Sequence, residues 1–319
     1  MNWLDDVFSG AQQWLFETLL EPLMVTLHLG HLLEDGYAAS GWLLVGLIQI
    51  AVLVCVIGPL QHWRPVEPVR DRATVRTDVL YTLIHRLGLF RVALFLLVEP
   101  WFDDLFGLLR VSGIGTFHLD QLWPGVTDLA LASFVLYLVV FDFADYWLHR
   151  AQHQAQWWWR LHSLHHAQRQ MTMWSDNRNH LLDDLLRDSL LVALAQLIGV
   201  APGQFVAIVA ITQLSESLQH ANLRLWFGSL GERLWVSPRF HRLHHSIGIG
   251  HESPSKPGAL GGVNFGVLLP WWDMLFGSAN FDVRYDPTGV RDQVEQGREY
   301  GRGFWSQQWL GLRRLAGKA

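Results

Sequence analysis

The chain of 319 residues contains a single cysteine, Cys55. It can form no intrachain disulfide, and it cannot build a zinc finger or a four-cysteine iron–sulfur site. Cys55 lies in an apolar run, where it reads as a small core or lipid-facing residue. Charge is also scarce. Asp, Glu, Lys and Arg make up 17% of the residues, against about a quarter in soluble domains. Half the residues are hydrophobic and the mean hydropathy is +0.16, which points to a bilayer rather than to water. The net charge of -5 comes with no basic stripe interleaved with aromatics, so nucleic acid is excluded as a partner. Strand-like alternation and long-period repeats are missing, and no low-complexity linker divides the chain. The start, "MNWLDDVFSG", lacks the positive region of a cleavable signal peptide, so insertion would rely on internal spans.

What is present is a series of apolar runs. Residues 42–60 carry no charge over the length a helix needs to cross roughly 30 Å of hydrocarbon. Residues 126–148 and 80–101 are further spans. Arg91, deep in the latter, should face protein or a polar cavity. Residues 14–30, interrupted by Glu17, Glu21 and Pro22, form a weaker fourth candidate. Residues 185–214 are cut by Ala201-Pro202-Gly203 into pieces of roughly fifteen and eleven residues, each short for a crossing. A re-entrant helical hairpin fits that pattern. The loop 64–76 carries Arg64, Arg70, Arg72 and Arg76, whereas 102–124 carries only Arg110; the arginine bias places the former, and everything after 148, in the cytosol. The expected fold is an all-α integral membrane protein with about four transmembrane helices, a re-entrant hairpin and a cytosolic histidine-rich cap. Residues 1–125 would hold N-terminal spans, 126–280 the catalytic region and 281–319 a cytosolic C-terminal tail.

Nine of the sixteen histidines fall in four places: His149 and His153; His162, His165 and His166; His220; and His241, His244 and His245. The core His-x-Leu-His-His occurs twice, in "LHSLHH" and "FHRLHH". On a helix, residues three or four apart share a face, so these positions form one pair and two triplets of imidazoles. Neutral imidazole binds iron, zinc, copper and nickel, whereas magnesium and calcium need oxygen. One His-x-x-x-His alone is more often a solvated helix face. Three clusters on one membrane face supply more nitrogens than one ion can use, and two metals are implied. Neither triplet places a glutamate beside its first histidine, which excludes the zincin arrangement.

The order H-x-x-x-H, H-x-x-H-H, H-x-x-H-H between apolar spans resembles the fatty acid hydroxylase/sterol desaturase superfamily of membrane di-iron oxygenases, over roughly residues 141–277. "DYWLHR", "NRNH", "QHANL", "NFG" and "WWDMLFG" add to the likeness. The resemblance implies two iron ions, with zinc a substitute in purified protein, O2 as co-substrate and a lipid substrate. It adds His220 and His180 to the ligands. Asp145, four residues before His149, could accept that ring's second N–H, with Asp142 as its substitute, and Asp273 and Asn264 could support the clusters. Each of these could equally be structural, and Glu216 is a lone carboxylate near the site. Trp157, Trp158 and Trp159 read as an interfacial belt. No His-Pro-Gly-Gly heme segment is present, so a separate electron-donor protein is expected. The alternative is a membrane metal-binding or metal-transfer protein, or a scaffold around a structural metal pair; clustering at one end of the spans favours catalysis.

Overall fold

Apolar runs become helices here, and prolines set where those helices deform. The computed structural model describes residues 3–318 and is mostly helical, with one two-stranded antiparallel ribbon. Helix α1 (Trp3–Leu15) runs through a wide π turn at Phe16–Leu20 into Glu21–Thr26. Helix α2 (Leu33–Val52) does the same through Leu53–Ile57 into Gly58–Trp63. Each wide turn lies just ahead of a proline, Pro22 or Pro59. A proline ring would strike the carbonyl four residues earlier, and the widened turn moves that carbonyl aside.

Among the described residues two helices are long and apolar enough to cross a membrane, within Gly30–Trp63 and Ala130–Gln154. A third arises if α3 (Arg72–Arg86) and α4 (Leu89–Leu97), bent by 52°, count as one broken span. This is fewer than the four spans expected. The segment 80–101 is not one rod because Gly88 adopts φ 82°, a left-handed conformation that glycine permits at little cost. The segment 14–30 stays helical through its wide turn but ends by His28, whose φ is 59°. Arg91 does face protein, its guanidinium carbon 3.5 Å from the Trp42 ring centroid.

Helix α5 (Glu99–Val111) leads by a loop to α6 (Ala130–Gln154), and extended Ala155 separates α6 from α7 (Gln156–His166). Helices α8 (Leu181–Ile198) and α9 (Pro202–His220) form the expected hairpin. Its tip packs on α6 through Tyr137, Phe141, Phe205 and Ile208. Its two open ends therefore lie beside the C-terminal end of α6. A short α10 (Pro238–His244), the ribbon β1 (Glu252–Ser253) and β2 (Lys256–Leu260), and α11 (Trp271–Leu275) follow. Residues beyond 280 do not trail away as a tail. Tyr300 packs with Leu164, Ala167 and Val290. On α12 (Phe304–Leu315), Phe304 meets Tyr81 at 4.9 Å between rings. Apolar surface on α7 and α3 is thereby removed from water.

Helices α2 and α3 approach so closely that a Cβ on Gly46 would lie 1.7 Å from the Arg86 carbonyl oxygen. Below that contact Arg86 is buried and bonds Gln49, Asp176 and Ser217. Gly46→Val is expected to force the helices apart and lower stability by about 1–3 kcal/mol. Thermal unfolding in detergent, compared with the exposed change Gly10→Val, checks this.

Candidate metal centre

Four helical segments end at one level and deliver the histidines there. Helix α6 presents His149 and His153 in its last turns, α7 carries His162, His165 and His166, α9 ends on His220, and α10 carries His241 and His244 with His245 at its cap. Ser237 starts α10 by accepting a hydrogen bond from the Phe240 N–H, a strong helix-start signal. The buried Arg239–Glu232 ion pair and the Arg242–Glu67 pair at 3.0 Å hold α10 in place.

The rings sort into two groups of four whose donor atoms lie within 4.8 Å of one another: His149, His153, His162 and His166, then His165, His220, His241 and His245. The two triplets are interlocked. His162 and His166 join the first group while His165, between them, joins the second. His241 and His245 join the second while His244 turns back, its ring 4.5 Å from His149 and 4.6 Å from His153. The repeated motif thus gives each group one i, i+4 pair from a triplet and leaves the middle ring to the other group.

Nine of the ten expected ligands come together, and His180 does not. Its Nδ1 accepts the Leu182 N–H at 3.1 Å, and its Nε2 lies 2.9 Å from the Gln308 carbonyl. It caps α8, and Gly311 packs against its ring.

Ring orientation is fixed from outside the groups. Nδ1–H donates to the Phe265 carbonyl from His149, to Asp183 from His162, to the Glu216 carbonyl from His220 and to the Val263 carbonyl from His244, all at 2.8–2.9 Å. Carbonyl oxygens only accept, so in three of these rings the proton is on Nδ1 and the Nε2 lone pair faces inward. Asp145 does not hold His149 as expected; it pairs with Arg187 at 2.7 Å. Asp142 accepts from Leu268, Leu269 and the Trp272 indole. Asp273 accepts from the Phe265 and Gly266 N–H groups and from Ser278. Burial pushes its carboxyl up to about 6. Asn264, at φ 59°, donates to the Phe240 and Asn280 carbonyls and accepts from the Asn280 N–H. Asp273 and Asn264 therefore act on the rings through the loop 263–266, whose carbonyls receive His149 and His244.

Sequence reasoning missed Asp183, which also accepts from Gln152 and from the Trp158 indole at 2.6–2.7 Å. It missed His251 too, which is 3% exposed and stacked on Trp159 at 5.2 Å with neither nitrogen bonded. Burial lowers that ring to about 4. Asp183 lies three residues after the conspicuous His180, and His251 sits in a glycine-rich loop outside any motif. Trp157 is half exposed, as a belt residue would be, but Trp159 lies against His153 and His166 at 5.1 and 5.3 Å.

The donor set fits transition metal ions. In the second group the Nε2 atoms of His165 and His241 lie 3.1 and 3.2 Å from that of His220, and His245 Nε2 lies 3.1 Å from His241 Nε2. Nitrogens sharing one ion at about 2.0–2.1 Å stand at such separations. His220 offers a lone pair there, and buried lone pairs that face each other need a cation between them. Further nitrogens of His153, His162, His166 and His244 are buried without partners. Burial first, then the neighbouring imidazoles, hold His165, His166, His241 and His245 well below their ordinary 6.5. The rings are neutral donors at physiological pH, as metal binding requires.

Residues 134–278 match the family model described as fatty acid hydroxylase. Among similar proteins is an ornithine lipid hydroxylase of Rhizobium tropici, 27% identical over 80% of this chain and 73% of its own length. An alkylglycerol monooxygenase of Caenorhabditis elegans is 24% identical over 89% of this chain, and a Delta(7)-sterol 5(6)-desaturase of Aspergillus fumigatus is 25% identical over 57%. The chain spans 53% and 57% of those two proteins. No solved structure matches.

His162→Ala is expected to lower bound metal while His180→Ala leaves it unchanged, as read by elemental analysis of folded protein. Asp183→Asn should weaken metal affinity by about 10–100-fold, the usual effect of losing a ligand's orienting partner; competition with a chelator measures it. The metal-free protein should be most stable above pH 6.5 and lose stability as pH falls below it. There the unfolded imidazoles take up protons that the buried ones refuse down to about 3 for His244. A melting-temperature series from pH 7.5 to 5 that stayed flat would contradict this.

Proposed function

We propose that this chain is a member of the fatty acid hydroxylase/sterol desaturase superfamily, to which its similarities point, and that it is a membrane-bound, O2-dependent lipid hydroxylase or desaturase with two irons. The observation that carries the reading is the interlocked pair of four-nitrogen groups, with His244 beside the first, at the ends of membrane-directed helices. His149, His153, His162, His166 and His244 would hold one iron, and His165, His220, His241 and His245 the other. Iron bound there supplies the redox chemistry that reduces O2 and breaks an unactivated C–H bond, giving either an alcohol or a double bond together with water.

The work of the chain is positional. Asp183 and the carbonyls of Val263, Glu216 and Phe265 keep four rings in one tautomer, so their inward lone pairs need no rearrangement when metal binds. Aromatic and aliphatic packing around the rings keeps bulk water out; Phe265 and Trp159 lie directly against them. Lipid enters from the bilayer side, along α6, α8 and α9. The arginine-rich loop 64–76 supports a cytosolic position for the histidine layer. Electrons come from a separate donor protein, since the sequence carries neither a heme segment nor cysteines for an iron–sulfur cluster. Histidines gathered in one layer, rather than strung through the spans, argue against a metal relay.

Purified protein reconstituted with iron should hold about two ions per chain. With 18O2 and a reductant it should place label in a lipid product or remove two hydrogens from the lipid, as read by mass spectrometry. Turnover that continues unchanged without O2, or full metal content after His162→Ala and His241→Ala together, would overturn the proposal.

A further inference from the structure

The C-terminal end of α6 opens on a cleft that the histidine layer does not use. Phe143, Trp147, Arg150 and Gln154 follow one another at steps of four, three and four residues, so they share one face of the helix. Phe143 and Trp147 are exposed, and with exposed Leu275 and Phe276, the latter 4.9 Å from the Trp147 ring, they form an apolar surface. Three residues further along, about 4.5 Å of helix, the same face becomes polar at Arg150. An exposed aromatic surface that gives way to a cation within one turn marks the boundary between hydrocarbon and headgroups. At that boundary lies a cleft of about 520 Å³ lined by Arg150, Gln154, Val263, Phe265 and residues 277–282.

Arg150 lacks a counter-ion. Its Nη1 donates to the Tyr146 hydroxyl at 2.8 Å, and its buried Nε has no partner. Aromatic faces flank the rest of the group, the guanidinium carbon lying 5.5 Å from the Trp147 ring centroid and 5.8 Å from that of Phe265. Rings stabilise a cation, but they leave its N–H groups without oxygen acceptors. Asp273 lies within the field of Arg150, yet its oxygens accept from the Phe265 and Gly266 N–H groups and from Ser278. Among the described residues no carboxylate pairs with Arg150. Asn280 adds donors to the cleft, because its amide oxygen accepts the Asp282 N–H at 2.9 Å and its amide nitrogen is left to donate elsewhere. A partly buried guanidinium without an anion is costly, and the group it lacks is an oxyanion. Exposed Asp282 also lines the cleft and opposes any charge beyond the one that Arg150 balances. A phosphodiester carries a single negative charge, whereas a free phosphate carries more than one at neutral pH.

We propose that Arg150, Gln154 and Asn280 bind the phosphodiester of a membrane phospholipid whose acyl chains lie along the exposed Phe143–Trp147 face. The planar guanidinium presents two N–H groups to two phosphate oxygens, the geometry in which arginine binds phosphate best. Basic pockets at the cytoplasmic surface hold lipid headgroups in this way. The bound lipid is a fixed neighbour of the centre and not the molecule oxidised there. Phe265, 1% exposed, lies against the guanidinium and also against the rings of His153 and His149 at 5.2 and 6.0 Å, so it separates the cleft from the histidines. The inference rests on the membrane seat of the chain and is independent of the reaction at the histidine groups.

The test is calorimetric titration of the full chain, loaded with zinc in detergent so that no turnover occurs, with dihexanoylphosphatidylglycerol, dihexanoylglycerol and inorganic phosphate. Wild-type protein should bind the phospholipid about tenfold or more tighter than the phosphate-free lipid, because charge-assisted hydrogen bonds are gained. Arg150→Gln should remove that preference without changing dihexanoylglycerol binding, and Arg150→Lys should restore only part of it, since an ammonium keeps the charge but loses the fork. Gln154→Glu, a change at an exposed position, adds a repelling charge and should weaken phospholipid binding in a protein whose Arg150 contacts are intact. Zinc content and melting temperature of each variant are measured alongside, so that a misfolded protein is not scored. Equal affinity of the wild type for the two lipids, or a preference that survives both Arg150→Gln and Gln154→Glu in folded protein, overturns the proposal. Inorganic phosphate bound as tightly as the phospholipid would overturn the lipid as occupant and make the cleft a free-phosphate site.

Discussion

Everything in this protein is arranged around neutral imidazole lone pairs that face one another out of water. Rings so placed repel unless a cation lies between them, and protonating them instead is disfavoured by burial. The fold meets this constraint by bringing the ends of α6, α7, α9 and α10 to one level and by anchoring the outer nitrogens of four rings. Two anchors are carbonyls of the loop 263–266, which Asp273 and Asn264 hold in turn. A loop outside both triplets is therefore as necessary to the centre as the helices that carry them.

The parts of this arrangement that depend on spacing were legible in the sequence. The i, i+4 positions of His149 and His153 and the two His-x-x-His-His triplets fix ring proximity through helix geometry alone, and Pro202 marks the hairpin that returns His220 to the same level. What depends on the direction a side chain takes in three dimensions was not legible. His180 has the right neighbours in sequence, yet it sits at the N-cap of α8, where its ring serves the backbone. Asp145 is one turn from His149 but turns toward Arg187, which a residue 42 positions away cannot announce. The acceptors for His149 and His244 are backbone carbonyls, which every residue possesses and no sequence distinguishes.

The membrane part shows the same division. Hydropathy located the apolar segments, but among the described residues only two or three helical segments are long and apolar enough to cross, because composition does not show where a helix breaks. Gly88 separates α3 from α4, and wide turns ahead of Pro22 and Pro59 keep α1 and α2 continuous where a proline would otherwise have ended them. Arg86, within the segment 80–101, is a buried hub joining α2, α3 and α9 through Gln49, Asp176 and Ser217.

The exchange of the middle rings between the two histidine groups has a consequence for assembly. Helix α7 gives His162 and His166 to one group and His165 to the other, while α10 gives His241 and His245 to the second group and turns His244 toward His149, His153 and His166 of the first. An ion captured by either group immobilises both helices, and with them donors that belong to its neighbour. The second ion then meets rings whose ordering entropy has already been spent, and it binds more tightly than the first. On the two-metal reading proposed above, loading would be cooperative, and chains would partition into empty and doubly filled forms with few half-filled ones. On that same reading, the connectivity of two short helices would keep rare a lone redox metal able to reduce O2 without a partner ion and to release partly reduced oxygen.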